Sequence, residues 1–538
     1  MSLIDEVEAS WKTPVMNAAY ATYLSKNRGH QVNALEALAK SLKGQIIIPT
    51  GTGKTRVQVS YLVGDMIARG DNRGVYVIAS HRLLLNKQLM DEYLDLCIKC
   101  GIPVNVLYLG SSRIDEKDIY DRYFKYDIHA GTLSTTFTTT GEDIKEFADK
   151  TKAQGRHLII VATYHSFDRL NVLDAIDVCC YDEAHNTISE DFTGNIKAVI
   201  AKIAKNFFFT ATRKVCTVEG HGMENKAIYG EPLCEVSPRA MIDAGEVVCP
   251  MLITIMLDDD QSPNGIVKTN NQVMLVNTVI EAFKRNKEAV KKESVNPDEI
   301  GCKLLVSCLN SDELILVQNS EYFQKWCQDN GVKAFSYSTR YGTYSDFEES
   351  ANRNKVYEQM RGLKDEEDCI MLHIDILSEG IDLPAITGVL LLRHLNEVKL
   401  FQTFGRALRL MKVDREALYA GSISTKDRSK WVKPFAYLIL PLHFDKMDVS
   451  GEDMRRIIKG VVNTYNIPME QFLPKEVIGV KGGGPHVPKE AHDKKYPLRS
   501  VIEELIEEEF MKGLPTDPKE NYTVWMKMLT ENGGNIDA

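Results

Sequence analysis

Ile46-Ile47-Ile48-Pro49-Thr50-Gly51-Thr52-Gly53-Lys54-Thr55 is the stretch on which the reading of this chain turns. Three β-branched residues make a short strand, two glycines permit a tight loop, and the chain from Arg56 onward reads as a helix. A strand, a glycine loop and a helix N-terminus form a phosphate cradle, because backbone N–H groups and the helix dipole both favour an anion there. Lys54 is expected on the β- and γ-phosphates of a nucleotide and the Thr55 hydroxyl on its Mg²⁺, with Thr50, Gly51, Thr52 and Gly53 lining the loop. The strict motif has glycine where Ile48 stands, so the strand–loop–helix context carries the reading.

Two further runs supply chemistry for that nucleotide. Asp182-Glu183-Ala184-His185 follows the apolar run Val178-Cys179-Cys180-Tyr181, so its carboxylates emerge at the carboxyl end of a strand,. Asp182 is expected to hold Mg²⁺ through water, and Glu183 to orient or deprotonate the attacking water. Gln402-Thr403-Phe404-Gly405-Arg406-Ala407-Leu408-Arg409 puts two arginines three residues apart on a helix, where they face one way,. Lys54, Asp182, Glu183, Gln402, Arg406 and Arg409 are the catalytic candidates, and ATP with Mg²⁺ is the cofactor set they imply.

The rest of the chain repeats one pattern. Short apolar runs at 46–48, 75–79, 104–109, 158–162, 178–181 and 207–209 alternate with helical stretches. A second series follows at 304–306, 334–337, 370–374, 389–392 and 436–440. Runs this short and this continuously apolar predict parallel strands covered on both faces, hence an α/β chain with two tandem doubly wound parallel-sheet lobes. The expected divisions are a helical segment over 1–27, a first lobe over 28–250, a second over 251–445 and a mainly helical extension over 446–538. Within the first lobe, the Ser/Thr-rich stretch over about 111–156 reads as an insertion or loop. Lys481-Gly-Gly-Gly-Pro-His-Val-Pro488 reads as a linker,.

Composition narrows the function classes. The chain has 538 residues, 44% hydrophobic and 26% charged, with a net charge of −10. That balance describes a globular protein and excludes an overall basic field for nucleic acid, while leaving room for a local groove. No run of about 18 apolar residues exists to span a membrane. The start, Met1-Ser-Leu-Ile-Asp-Glu-Val-Glu8, lacks a signal peptide's basic and apolar regions, so a cytoplasmic place, or an intracellular one in a virus-infected host, is expected,. The 11 cysteines are scattered, as suits free thiols,. Cys97-Ile-Lys-Cys100 has metal spacing but no second pair to complete a site,.

Taken in order, the motifs resemble a superfamily-2 DExH/DEAH-type helicase or translocase, nearest to the restriction- and repair-type motors, over about residues 28–445. The resemblance implies two RecA-like lobes and assigns further residues. Arg28-Gly-His-Gln31 looks like the adenine-reading element, and Gly380 and Asp382 of Ser378-Glu-Gly-Ile-Asp-Leu-Pro384 would touch the nucleotide. His185, with Thr210 and Thr212 of Thr210-Ala-Thr212, would couple hydrolysis to lobe motion. Ser80, His81 and Arg82, and then Thr163 and Tyr164, match elements that contact a nucleic-acid backbone. Gln402, Arg406 and Arg409 match the arginine-finger helix.

The partner implied is nucleic acid, DNA before RNA, held mainly by its backbone. Neither a nuclease pattern nor a methyltransferase glycine loop is visible in the tails, so such an activity would come from another protein. An ATPase that remodels nucleoprotein without unwinding, and a nucleotide-gated subunit of a larger restriction, defence or repair complex, are the competing readings.

Overall fold

The computed structural model describes residues 17–70, 72–81, 83–109, 133–214, 222–257, 267–338, 340–350, 353–374, 385–393, 395, 397–443 and 447–467. The chain divides into two compact units, one running to Met241 and the other from Ile242.

In the first unit the expected apolar runs become strands β1 (Lys43–Ile47), β2 (Val75–Ser80), β3 (Val104–Leu109), β5 (His157–Thr163), β6 (Ile176–Tyr181) and β7 (Ile203–Thr210). Two more join them, β4 (Leu133–Thr138) and β8 (Pro232–Glu235). The order is β4-β3-β5-β2-β6-β7-β1-β8 and every pairing is parallel. Successive residues of a strand point to opposite faces, and here both faces are buried. Tyr76, Ile78, Val178, Cys180, Phe207 and Phe209 pack on one side with the Gly29–Ala39, Lys54–Arg69 and Leu83–Lys99 helices. Val77, Ala79, Cys179, Tyr181 and Phe208 pack on the other with the Gly141–Ala153 and Glu190–Val199 helices.

Part of the stretch expected as an insertion or loop is therefore regular structure. Leu133–Thr138 adds a parallel edge strand to β3, and Gly141–Ala153 is a helix capped by the Thr140 hydroxyl. The polar run Ser134-Thr-Thr masked the strand, because an edge strand needs only one apolar face. Residues 110–132 lie outside the described residues.

The second unit holds β9 (Cys249–Leu257), β10 (Lys303–Ser307), β11 (Lys333–Ser338), β12 (Gly342–Ser345), β13 (Glu348–Ser350), β14 (Cys369–His373), β15 (Gly388–Leu391) and β16 (Phe435–His443). Their order is β13-β12-β11-β14-β10-β15-β16-β9, parallel except for the antiparallel β11-β12-β13 edge. Both units are thus doubly wound α/β folds, as the alternation of runs predicts. The Met447–Tyr465 helix closes the described chain, with the Tyr465 ring 5.8 Å from Phe401 and 6.5 Å from Phe404 of the Glu397–Ala407 helix. Among the described residues no helix is long and apolar enough to cross a membrane.

Candidate nucleotide site

A parallel sheet gathers the ends of its strands along one edge. In the first unit that edge carries the loop after β1, Ser80 and His81 after β2, Thr163 after β5, Asp182 and Glu183 after β6, and Thr210 at the end of β7. Residues separated by more than a hundred positions meet there for that reason alone.

The phosphate loop is held from two sides. Ile48 N–H donates to the Thr210 carbonyl at 3.0 Å, which anchors the loop's start to β7. Gly51 and Gly53 then take φ of 84° and 93°, a left-handed backbone that glycine adopts without penalty,. The Thr52 hydroxyl donates to the Pro49 carbonyl at 2.7 Å and closes the turn. Gln31, almost wholly buried, donates its amide to the carbonyls of Thr52 and Gly53 at 3.2 and 3.3 Å, and its own carbonyl accepts from Arg28 N–H at 2.9 Å. His30 Nε2 reaches the Thr52 carbonyl at 2.9 Å. Facing a carbonyl, Nε2 is the donor of that bond, and burial lowers the His30 pKa. A Cβ on Gly53 would fall 2.2 Å from Gln31 Nε2, so the loop and Gln31 are fitted to each other. Gln31, expected to read adenine, engages backbone with both ends of its side chain.

Lys54 opens the helix and is nearly buried, with its ammonium 3.6 Å from Glu183 Oε1. Thr55 follows it in the first turn. Asp182 N–H donates to the Ala79 carbonyl at 2.7 Å, and Gln58 Nε2 donates to Asp182 Oδ1 at 2.7 Å. Burial raises the Asp182 pKa, Glu183 raises it further, and Lys54, Gln58 and His81 oppose the rise. Glu183 itself takes a left-handed backbone, φ 48°, uncommon for a residue with a side chain and a sign of local strain,. His185 stands 3.6 Å from Glu183 Oε2 and 3.1 Å from the Thr210 hydroxyl, which donates to the Thr212 carbonyl at 2.8 Å. Glu183, His185, Thr210 and Thr212 therefore form one continuous chain of polar contacts.

These residues fit a nucleotide's phosphates and a divalent cation. Thr50 Oγ1 is buried with no hydrogen-bond partner among the described residues, and the loop has no room for side chains at Gly53. Asp182 is buried, and Glu183 beside it is half-buried. Among the described residues no group of three or more His, Cys, Asp or Glu gathers for a metal, so a cation here would rely on Asp182, Thr55 and phosphate oxygens,. Cys97 and Cys100 are buried free thiols, and burial pushes Cys100 up to about 11.

The nucleic-acid candidates divide. Thr163 ends β5 and its hydroxyl donates to Ser166 Oγ at 3.3 Å, while Asn186 Nδ2 lies 3.3 Å from His81 Nδ1. Ser80 is fully buried, and so is Tyr164, whose hydroxyl donates to the Asp182 carbonyl at 2.6 Å. The Tyr164 side chain therefore supports the acid pair from beneath, a place the residue type did not signal. Arg82, Gly380 and Asp382 lie outside the described residues.

In the second unit Gln402 and Arg406 lie on one face of the Glu397–Ala407 helix, both nearly buried, and Arg409 follows in a short bridge to Val247. Burial, and then Arg415, holds the Arg409 guanidinium down to about 10. The helix end is pinned by a residue the sequence did not single out. Lys433, wholly buried, donates to the carbonyls of Ala407 and Arg409 at 2.6 and 2.9 Å, and burial pushes its pKa down to about 7. Asp414 fixes the bend before β16 from which Lys433 reaches, accepting from Val432 and Lys433 N–H at 2.7 and 2.8 Å.

Residues 24–215 match the family model for "Type III restriction enzyme, res subunit". No curated protein is significantly similar to the chain in sequence. Among solved structures, the ATP-dependent Type ISP restriction-modification enzyme LlaBIII bound to DNA aligns with a TM-score of 0.60 at 15% identity, over 89% of this chain and 32% of that one. This chain thus spans about a third of the length of that enzyme. Mss116p bound to ssRNA and AMP-PNP aligns with a TM-score of 0.51 at 11% identity, over 100% of this chain and 87% of that one. Identities this low speak for the fold alone. Residues 24–215 of the first unit are thus similar to the res-subunit family, and both units share the doubly wound, RecA-like fold.

Proposed function

We propose that this chain is an ATP-dependent nucleic-acid motor, in which hydrolysis at the β1 loop drives movement along a strand or its unwinding. The observation that carries this reading is the polar chain from Lys54 through Glu183 and His185 to Thr210 and Thr212, because it ties the phosphate lysine to the end of β7 in the same unit. Lys54 and the loop N–H groups hold the β- and γ-phosphates, Thr55 and Asp182 hold Mg²⁺, and Glu183 accepts a proton from the attacking water. Magnesium bound there supplies charge neutralisation for the phosphates. Gln402, Arg406 and Arg409 act on the same nucleotide in turnover, as an arginine finger does, and Gly380 and Asp382 contribute to its binding.

Strand contacts fall on the edge near His81, Arg82 and Thr163, largely to phosphates and hence independent of sequence. DNA is favoured over RNA, in line with the res-subunit match and the DNA-bound restriction enzyme of similar fold. ATP hydrolysis measured in parallel with single- and double-stranded DNA and RNA tests the reading. Stimulation by DNA and its loss in Lys54→Ala are expected, and equal rates with and without every nucleic acid would refute it.

A second reading makes the chain the motor part of a larger restriction, defence or repair assembly that carries a nuclease elsewhere. It is favoured by the 32% of LlaBIII's length that this chain spans. Co-purification from the native source, with nuclease activity in the complex and none in the isolated chain, is its test.

A further inference from the structure

Gln58 lies four residues beyond Lys54, one helical turn on, and is wholly buried,. Its amide nitrogen donates to Asp182 Oδ1 at 2.7 Å, while its amide oxygen accepts from the Tyr93 hydroxyl at 3.3 Å. Tyr93 is itself fully buried, on the Leu83–Lys99 helix that follows the His81 edge. An ionised carboxylate can only accept, so the NH₂ end of the amide faces Asp182 and its oxygen is left to accept from the Tyr93 hydroxyl,. An apolar side chain of the same length would fill this space equally well. A buried amide gripping a buried carboxylate is therefore a polar arrangement that packing alone does not require.

We propose that Gln58, oriented by Tyr93, is a positioning residue for Asp182. It locks the carboxylate's rotamer and occupies one oxygen, leaving the other to the cation of a bound nucleotide. This rests on the nucleotide-site reading above. Outer partners of metal-holding carboxylates govern affinity in this way, and their loss costs roughly 10–100-fold in metal affinity or activity. The line from Tyr93 also joins Asp182 to the helix beginning beside the proposed strand contacts, so the cation site and that helix share one hydrogen-bonded element.

The test uses the full chain with a non-hydrolysable ATP analogue and Mn²⁺ as a spectroscopic probe, so that affinity is read without turnover. Gln58→Met keeps the volume and removes both bonds. The expected results are Mn²⁺ affinity weakened about 10-fold or more, analogue affinity without metal unchanged within twofold, and kcat lowered with KM for ATP nearly constant. Tyr93→Phe, which keeps the ring, should shift Mn²⁺ affinity in the same direction by about two- to threefold, and it serves where Gln58→Met does not fold. A merely structural role would lower the melting temperature and leave Mn²⁺ affinity alone. Unchanged Mn²⁺ affinity in folded Gln58→Met, or in Tyr93→Phe if that variant alone folds, overturns the proposal. Failure of the underlying reading looks different: Lys54→Ala would then hydrolyse ATP normally, whatever Gln58 does.

Discussion

The Lys54 ammonium lies 3.6 Å from Oε1 of Glu183, so the residue expected on phosphate and the residue expected on water form an ion pair. On the proposed function, phosphates compete with Glu183 for Lys54 and so free the carboxylate to act on water. Glu183→Gln removes the competing charge and the base together. Expected outcomes are ATP bound at least as tightly as in the parent and hydrolysis lost, read by a fluorescent-nucleotide titration beside phosphate release. Parent-like turnover would remove Glu183 from the chemistry.

Gly53 has φ of 93°, and an added Cβ would stand 2.2 Å from Gln31 Nε2. Gly53→Ala should therefore cost about 1–2 kcal/mol from the left-handed backbone alone, with further strain where the loop meets Gln31. Loss of nucleotide binding with only a modest fall in melting temperature is the expected pattern. Chemical denaturation and nucleotide titration of the same preparation separate the two effects.

Arg406→Ala should keep nucleotide affinity within a few-fold while turnover falls by roughly 10³ or more, the scale of an arginine finger. Single-turnover rates at saturating ATP measure this. Normal turnover in the variant would leave Arg406 of the Glu397–Ala407 helix without its proposed role.

Lys433→Met tests how that helix ends. Removing the ammonium leaves the Ala407 and Arg409 carbonyls without their donor in a buried place, at a cost of about 1–3 kcal/mol,. Relief of a buried charge acts in the opposite direction. A net loss of stability in denaturant melts shows that the capping bonds dominate, and a net gain shows that the charge does.

His157 gives a pH dependence with a definite sign. Gly74 N–H donates to its Nδ1 at 3.0 Å and Arg73 Nη1 lies 3.2 Å from its Nε2, so a doubly protonated ring sets N–H against a donor on both sides,. Burial first, then Arg73 and Arg69, lowers its pKa to about 4, against 6.5 for a free imidazole. Below pH 6.5 the unfolded chain binds the extra proton and the folded one does not. Stability is thus lost as pH falls from 6.5 to about 4 and changes little from this source below that. His157→Asn, whose side-chain oxygen can accept the Gly74 bond, should flatten the fall. Melting temperatures at intervals across that window check it, and an unchanged slope would remove His157 as the cause.

Much of the architecture was legible because strand burial leaves a mark on composition. Val75–Ala79 and Val178–Tyr181 are apolar on both faces, and only a covered parallel sheet asks for that. Strand β4 escaped notice because Ser134, Thr135 and Thr136 serve an edge. The β12–β13 hairpin, Gly342–Ser345 and Glu348–Ser350, was missed for the same reason, being short and polar beyond the covered strands. In the site, Lys54, Asp182 and Glu183 stood out by type and spacing. Gln58, Tyr93, His30 and Lys433 carry no such signature. Their importance is in whom they meet, and only Gln58, one turn from Lys54, had a spacing that pointed to it.

Local chemistry alone marked the covered strands and where the glycine loop had to turn, and it named side chains suited to phosphate, since each follows from a few consecutive residues. Three-dimensional packing decided that Gln31 grips the loop's carbonyls, that Tyr164 lies beneath Asp182 rather than at a surface, and that Lys433 closes the arginine helix. Those outcomes depend on contacts between positions far apart in the chain, and the strength of a buried polar group is set by its surroundings rather than by its neighbours in sequence.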